Sequence, residues 1–145
     1  MNARGDGIIT FLDEGGGITE LSLKRLKYLI ESKLLGQALF AWCVFEHGYN
    51  FNLWSVRDIE NSTGEIEETT IVTLLSGFNC GYGGEGPHGL ITALELLGLT
   101  VTDEDKNTIF RHTHVYIDWW KRTIVPRFPP KETLEAQIRA DLRGL

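Results

Sequence analysis

Phe51-Asn52-Leu53-Trp54-Ser55-Val56 places Phe51, Leu53 and Ser55 on one side of the chain and Asn52, Trp54 and Val56 on the other. A side-chain period of two belongs to a strand with two different faces. Just upstream, His47-Gly48-Tyr49-Asn50 is turn-forming, and residues 38–46 before it are almost wholly apolar and rich in aromatics. That run reads as a buried strand; a helix continuing past Gly36 is the competing reading. Downstream, Asn61-Ser62-Thr63-Gly64 marks another turn, and Thr69 to Leu75 is again β-branched and apolar. Strands joined by short turns form an antiparallel meander. Ile8-Ile9-Thr10-Phe11-Leu12, closed by Asp13-Glu14-Gly15-Gly16-Gly17, can join it as a further strand.

Helical spacing appears on both sides of this meander. Thr19 can cap a helix with Glu20 in its first turn, and Leu23, Leu26, Ile30 and Leu34 follow at helical spacing until Gly36. These residues predict a helix over about 19–35. Leu90, Ile91, Leu94 and Leu97 predict a second, stopped by Gly98. Thr102 before Asp103, Glu104 and Asp105 starts a third, with a hydroxyl cap and acids at the positive end of the helix dipole. Ile109, Thr113, Tyr116, Ile117 and Trp120 can line one face of that helix, although a strand through Thr113, Val115, Ile117 and Trp119 remains open for 108–120. Beyond Pro126, Pro129 and Pro130, Leu134, Ile138 and Leu142 predict a last helix within Lys131 to Arg143. The expected fold is a single α+β domain over residues 1–145. Its antiparallel sheet has about three to four strands, packed with about four helices.

A glycine-rich loop joins the last expected strand to the second helix: Gly81-Tyr82-Gly83-Gly84-Glu85-Gly86-Pro87-His88-Gly89. Such a concentration of glycine implies left-handed backbone or close approach of main chain to something else. Pro87 suits a first helical turn. The free N–H groups of that turn, with the glycine amides ahead of it, can form a donor site for an anion. Gly81, Gly83 and Gly86 also fit G-x-G-x-x-G, with Asp103 further along, but that fingerprint needs a parallel strand–helix–strand unit that a meander does not supply. The P-loop ending in Gly-Lys-Ser/Thr is absent, which argues against coupled ATP or GTP hydrolysis.

Composition excludes several classes. The 145 residues are 42% apolar and 23% charged, with no apolar run long enough to span a bilayer. Met1 to Asp6 lacks the features of a secretory signal, so a soluble cytoplasmic protein is expected, without membrane partners. The net charge of −6 lies mainly in residues 46–85, where seven acids face Arg57 alone. Without a broad basic face, a nucleic-acid partner is not expected. Cys43 and Cys80 lack the spacing of a disulfide framework or zinc site. His112-Thr113-His114 is the one close histidine pair, and no metal or cofactor is expected from it.

The leading expectation is a non-catalytic protein that senses or sequesters a phosphate-bearing, nucleotide-type small molecule, such as a cyclic nucleotide or an ADP-ribose-like signal. Gly83, Gly84, Gly86, His88 and Gly89 would hold the phosphate, Tyr82 would stack on the base, and Arg57 or Arg111 would neutralise charge. Arg122 and Arg127 are further guanidinium sources. One alternative is an enzyme acting on a nucleotide or glycosidic bond through Cys80, His88 and Glu85. The other is a protein–protein interaction module. Trp119 and Trp120 cannot both face inward from one regular element, so one is expected at a pocket or at an interface of a homo-oligomer.

Overall fold

A computed structural model describes residues 8–129 of the chain. Its elements run β1 (Ile8–Leu12), α1 (Thr19–Glu31), β2 (Gln37–Val44), β3 (Phe51–Glu60), β4 (Ile66–Leu75), α2 (Glu85–Leu96), α3 (Asp103–Arg111), β5 (His114–Asp118) and β6 (Thr123–Val125). The strands form one six-stranded sheet in the order β1-β4-β3-β2-β5-β6. β2, β3 and β4 make the expected meander, with Phe51 opposite Leu75 and Trp54 opposite Val72. β1 runs parallel to β4, pairing Ile9 with Ile71, and β5 joins the far side of β2.

The expected antiparallel sheet of three to four strands packed with about four helices is therefore corrected. The sheet has six strands, one pair is parallel, and the described residues contain three helices. The parallel edge arises because α1 carries the chain away from β1 before the meander begins. One extra strand, β5, comes from the 108–120 stretch whose period was ambiguous; the other, β6, follows it after a short turn. The third helix stops at Arg111, and Val115 and Ile117 turn inward while Tyr116 turns outward, a period of two. The helix expected over Lys131 to Arg143 lies outside the described residues.

The inward faces of the strands meet all three helices in one apolar cluster that includes Leu26, Leu29, Leu53, Ile71, Leu94 and Ile109. The opposite face of the sheet carries a second cluster built on Trp42, Trp54, Val72 and Tyr116. Among the described residues no helix is long and apolar enough to cross a membrane.

One polar knot ties the carboxyl ends of the parallel pair to the start of α1. The Asp13 carboxylate accepts from Ser22 Oγ, from the backbone N–H and Oγ of Ser76, both at 2.9 Å, and from the Gly15 N–H at 2.8 Å. Burial pushes this carboxyl up, but the hydrogen bonds from Ser22, Ser76 and Gly15 together outweigh it and hold it below the usual carboxylate range. Every donor is satisfied, so the knot is structural.

Candidate functional site

The glycine loop packs closely on its own neighbours. A side chain on Gly84 would come within 2.5 Å of the Tyr82 ring, and one on Gly86 within 2.9 Å of both Tyr82 Oη and Asn79 Cβ. The Tyr82 ring thus lies over the start of α2, against Phe45 at 5.6 Å. Gly89 lets α2 close onto Thr19 and Phe78. Tyr82 itself is partly exposed, at 41%. Gly83 has open space around it.

Of the residues grouped with this loop, Arg57 alone lies at a distance. Cys80 is fully buried, and its thiol donates to the Cys43 carbonyl at 3.6 Å. Burial also pushes the Cys43 thiol well up. His88 is exposed, with Nδ1 at 2.8 Å from the Gly84 carbonyl, and its ring packs on Phe110. Glu85 is exposed in the first turn of α2. Cys80 and His88 therefore spend their reactive atoms on separate backbone carbonyls and make no hydrogen bond to each other. Arg111 sits exposed in the last turn of α3. Arg57 is at the other end of α2, facing Leu96 and Leu97. A 12-residue helix is about 18 Å long, so Arg57 and the glycine loop cannot share one small ligand site.

A broad concavity lies at that other end. A cavity of about 720 Å³ between β2 and the β5–β6 turn adjoins one of about 430 Å³ between the ends of α1 and α2. The two share Gly36, Ala38, Leu97 and Gly98 and so form one groove. Arg122, Asp118, Trp119 and Trp120 line the first part, and Lys33 and Arg57 the second. Volumes of this order match small-molecule sites, typically about 300–1,000 Å³. The tryptophan pair divides as expected. Trp119 packs on the core and its indole N–H donates to the Leu97 carbonyl at 3.1 Å, whereas Trp120 is 90% exposed at the groove.

Three cations line this groove in a chain of net charge −6. The ion pairs among the described residues are Arg25–Glu14 and Lys106–Asp103, leaving Lys33, Arg57 and Arg122 unpaired there. The Arg57 Nε is buried without a hydrogen-bond partner. The carbonyl ends of α1 and α2 favour nearby cations, which accounts for part of this charge.

Helix ends do not account for the backbone. Lys33 (φ 57°) and Arg122 (φ 55°) are the two non-glycine residues in the left-handed region among the described residues, and both line the groove. α1 and α2 finish in the same turn. Lys33 N donates to Ile30 O and Leu34 N to Leu29 O, just as Gly98 N donates to Glu95 O and Leu99 N to Leu94 O. This is the Schellman motif, whose left-handed position favours glycine. α2 supplies Gly98; α1 places a lysine there. Arg122 ends the four-residue turn between paired Asp118 and Thr123, again where glycine would relieve strain. Strained residues of this kind concentrate at ligand sites.

A measurable consequence follows for stability. Lys33→Gly is expected to stabilise the protein by about 1 kcal/mol, raising Tm by about 3 °C in thermal denaturation. A fall in Tm would show that the Lys33 side chain holds α1 in place.

Tyr82, Gly83, Gly84, Gly86, His88 and Gly89 thus stay together around the start of α2, and Arg57 joins Lys33 and Arg122 instead. Sequence reasoning missed Lys33 altogether; the signal was a lysine between Ser32 and Leu34 where a helix stops without glycine. The close histidine pair also parts, His112 capping α3 and His114 on the outward face of β5. Among the described residues no group of three or more His, Cys, Asp or Glu gathers as a metal site would require. Comparison with known protein families, with curated proteins and with solved structures finds no match for this chain.

Proposed function

We propose that this chain is a non-catalytic binding protein for a phosphate-bearing, nucleotide-type small molecule, held in the groove between Gly36 and Gly98. The observation that carries the reading is the placement of the two left-handed cations, Lys33 and Arg122, on one groove beside the unpaired Nε of Arg57. The helix end favours a cation but the left-handed backbone favours glycine. A negatively charged guest adds a reason for lysine.

In this reading the guanidinium groups of Arg57 and Arg122 take phosphate oxygens through paired N–H donors, and Lys33 adds a point charge. Trp120 offers an exposed ring for a base to stack on, with cations alongside. Asp118, an acceptor in the same cavity, suits a ribose hydroxyl or an exocyclic amine. The groove holds no thiol, histidine or paired carboxylate among its lining residues, so capture without conversion fits better than catalysis. Sensing and sequestration both require such a site.

The test is a thermal-shift screen of mono-, di- and cyclic nucleotides and ADP-ribose derivatives, with recovery of the compound checked by mass spectrometry. A rise in Tm with the compound returned unchanged is expected. Chemical conversion of the compound would replace this reading with an enzymatic one.

The loop and the groove can be told apart directly. Gly84→Val displaces the Tyr82 ring but touches nothing at the far end of α2. Its ligand-induced shift in Tm is therefore expected to match that of the wild type. Loss of the shift in this variant would return the site to the glycine loop.

A further inference from the structure

The outward face of the sheet is apolar and aromatic from β4 to β6. Phe40, Trp42, Trp54 and Tyr116 stack across it, with ring centroids 5.6 Å apart for Phe40–Trp54, 6.2 Å for Phe40–Tyr116 and 6.5 Å for Trp42–Trp54. All three described helices pack on the other face. Yet Trp42, Trp54 and Tyr116 are only 5–6% exposed. Stacking side by side on a sheet hides ring edges but leaves the outer ring surfaces to water, so mutual contact does not explain burial this deep.

The path of the chain after β6 indicates what lies there. Arg127 turns back so that its guanidinium stands over the Tyr116 ring at 5.4 Å. Phe128 then stacks on His114, an outward residue of β5, at 4.2 Å and 9°. Pro129 is buried. At Pro129 the described chain therefore lies against the aromatic face. The remaining sequence, residues 130–145, carries Leu134, Ile138 and Leu142 at a spacing that puts them on one side of a helix. A helix of that length reaches about 24 Å, the width of about five strand spacings.

We propose that residues 130–145 of the same chain cover this face, setting Leu134, Ile138 and Leu142 on Phe40, Trp42 and Trp54. The charged residues of the segment, among them Lys131, Glu135 and Arg139, then face water. The surface is an intramolecular docking site that meets the ligand groove at Phe40.

The experiment compares the full chain with a full-length Leu134→Asp/Ile138→Asp variant, following tryptophan indole N–H signals by NMR and fluorescence quenching by iodide. The Trp42 and Trp54 indole signals should shift and exchange faster in the variant, and the quenchable fraction should rise. The Trp120 signal should stay where it is, because that ring is already exposed. Should the variant fail to fold, a nitroxide attached at Arg139→Cys in the otherwise native chain gives the same answer; Cys43 and Cys80 are buried and do not compete for the label. Broadening of the Trp42 and Trp54 indole signals in dilute monomeric protein supports the proposal. Unchanged indole signals in both experiments overturn it, as does a wild-type dimer whose dissociation on dilution exposes these tryptophans, since a second copy would then be the cover.

Discussion

Replacing Asp13 with alanine is expected to remove about 3–5 kcal/mol of stability, a large part of what a domain of this size possesses. Four donors lose their acceptor at once: Ser22 Oγ, the N–H and Oγ of Ser76, and the Gly15 N–H. Because β1, β4 and α1 meet at this carboxylate, the loss should appear as a fall in the urea midpoint with an unchanged slope. The pH dependence has a definite sign. The folded-state pKa of Asp13 is lowered, so its contribution is fully present above the ordinary carboxylate pKa and is lost as pH falls through the folded value. Asp13→Asn keeps the shape but lacks the charge, and its stability should fall less steeply with acid than that of the wild type. An identical acid limb in both proteins would show that the carboxylate is not held as described.

The second large effect concerns binding. Arg57→Gln with Arg122→Gln is expected to weaken the nucleotide by about 100-fold or more. Two charge-assisted hydrogen-bonding groups are lost, each worth about 1.5–3 kcal/mol, and about 1.4 kcal/mol corresponds to tenfold in affinity. Glutamine retains much of the side-chain stem, and Arg122 is exposed, so the circular dichroism spectrum should be unchanged. Arg111→Gln, at the glycine-loop end of the molecule, serves as the control and should bind as the wild type does.

The meander was legible because its signal is short-range. Phe51 and Leu53 turn inward and Trp54 outward as the alternation requires, and Thr102 caps α3 through its hydroxyl as expected. β5 was not legible, because Tyr116 and Ile117 are both apolar and lie a helical distance from Ile109 and Thr113. Either period fits four such residues, and only pairing with β2, distant in sequence, decides between them.

The site followed the same division. The glycines of residues 81–89 announced close approach, and the approach they show is to Tyr82, Asn79 and Thr19. Arg57 and Arg122 were recognisable as guanidinium sources. Their association was not, since it arises where the ends of α1 and α2 meet the β5–β6 turn. Asp13 read as a simple turn residue because two of its partners, Ser22 and Ser76, come from elsewhere in the chain.

The most direct measurement is a calorimetric titration of the wild type and of the Arg57→Gln/Arg122→Gln protein with the nucleotide that raises Tm most, set beside the same nucleoside without its phosphate. The groove account predicts tight, salt-sensitive binding of the phosphate form to the wild type alone, with little heat from the nucleoside. Equal affinity of the two proteins, or of the two compounds, would contradict it.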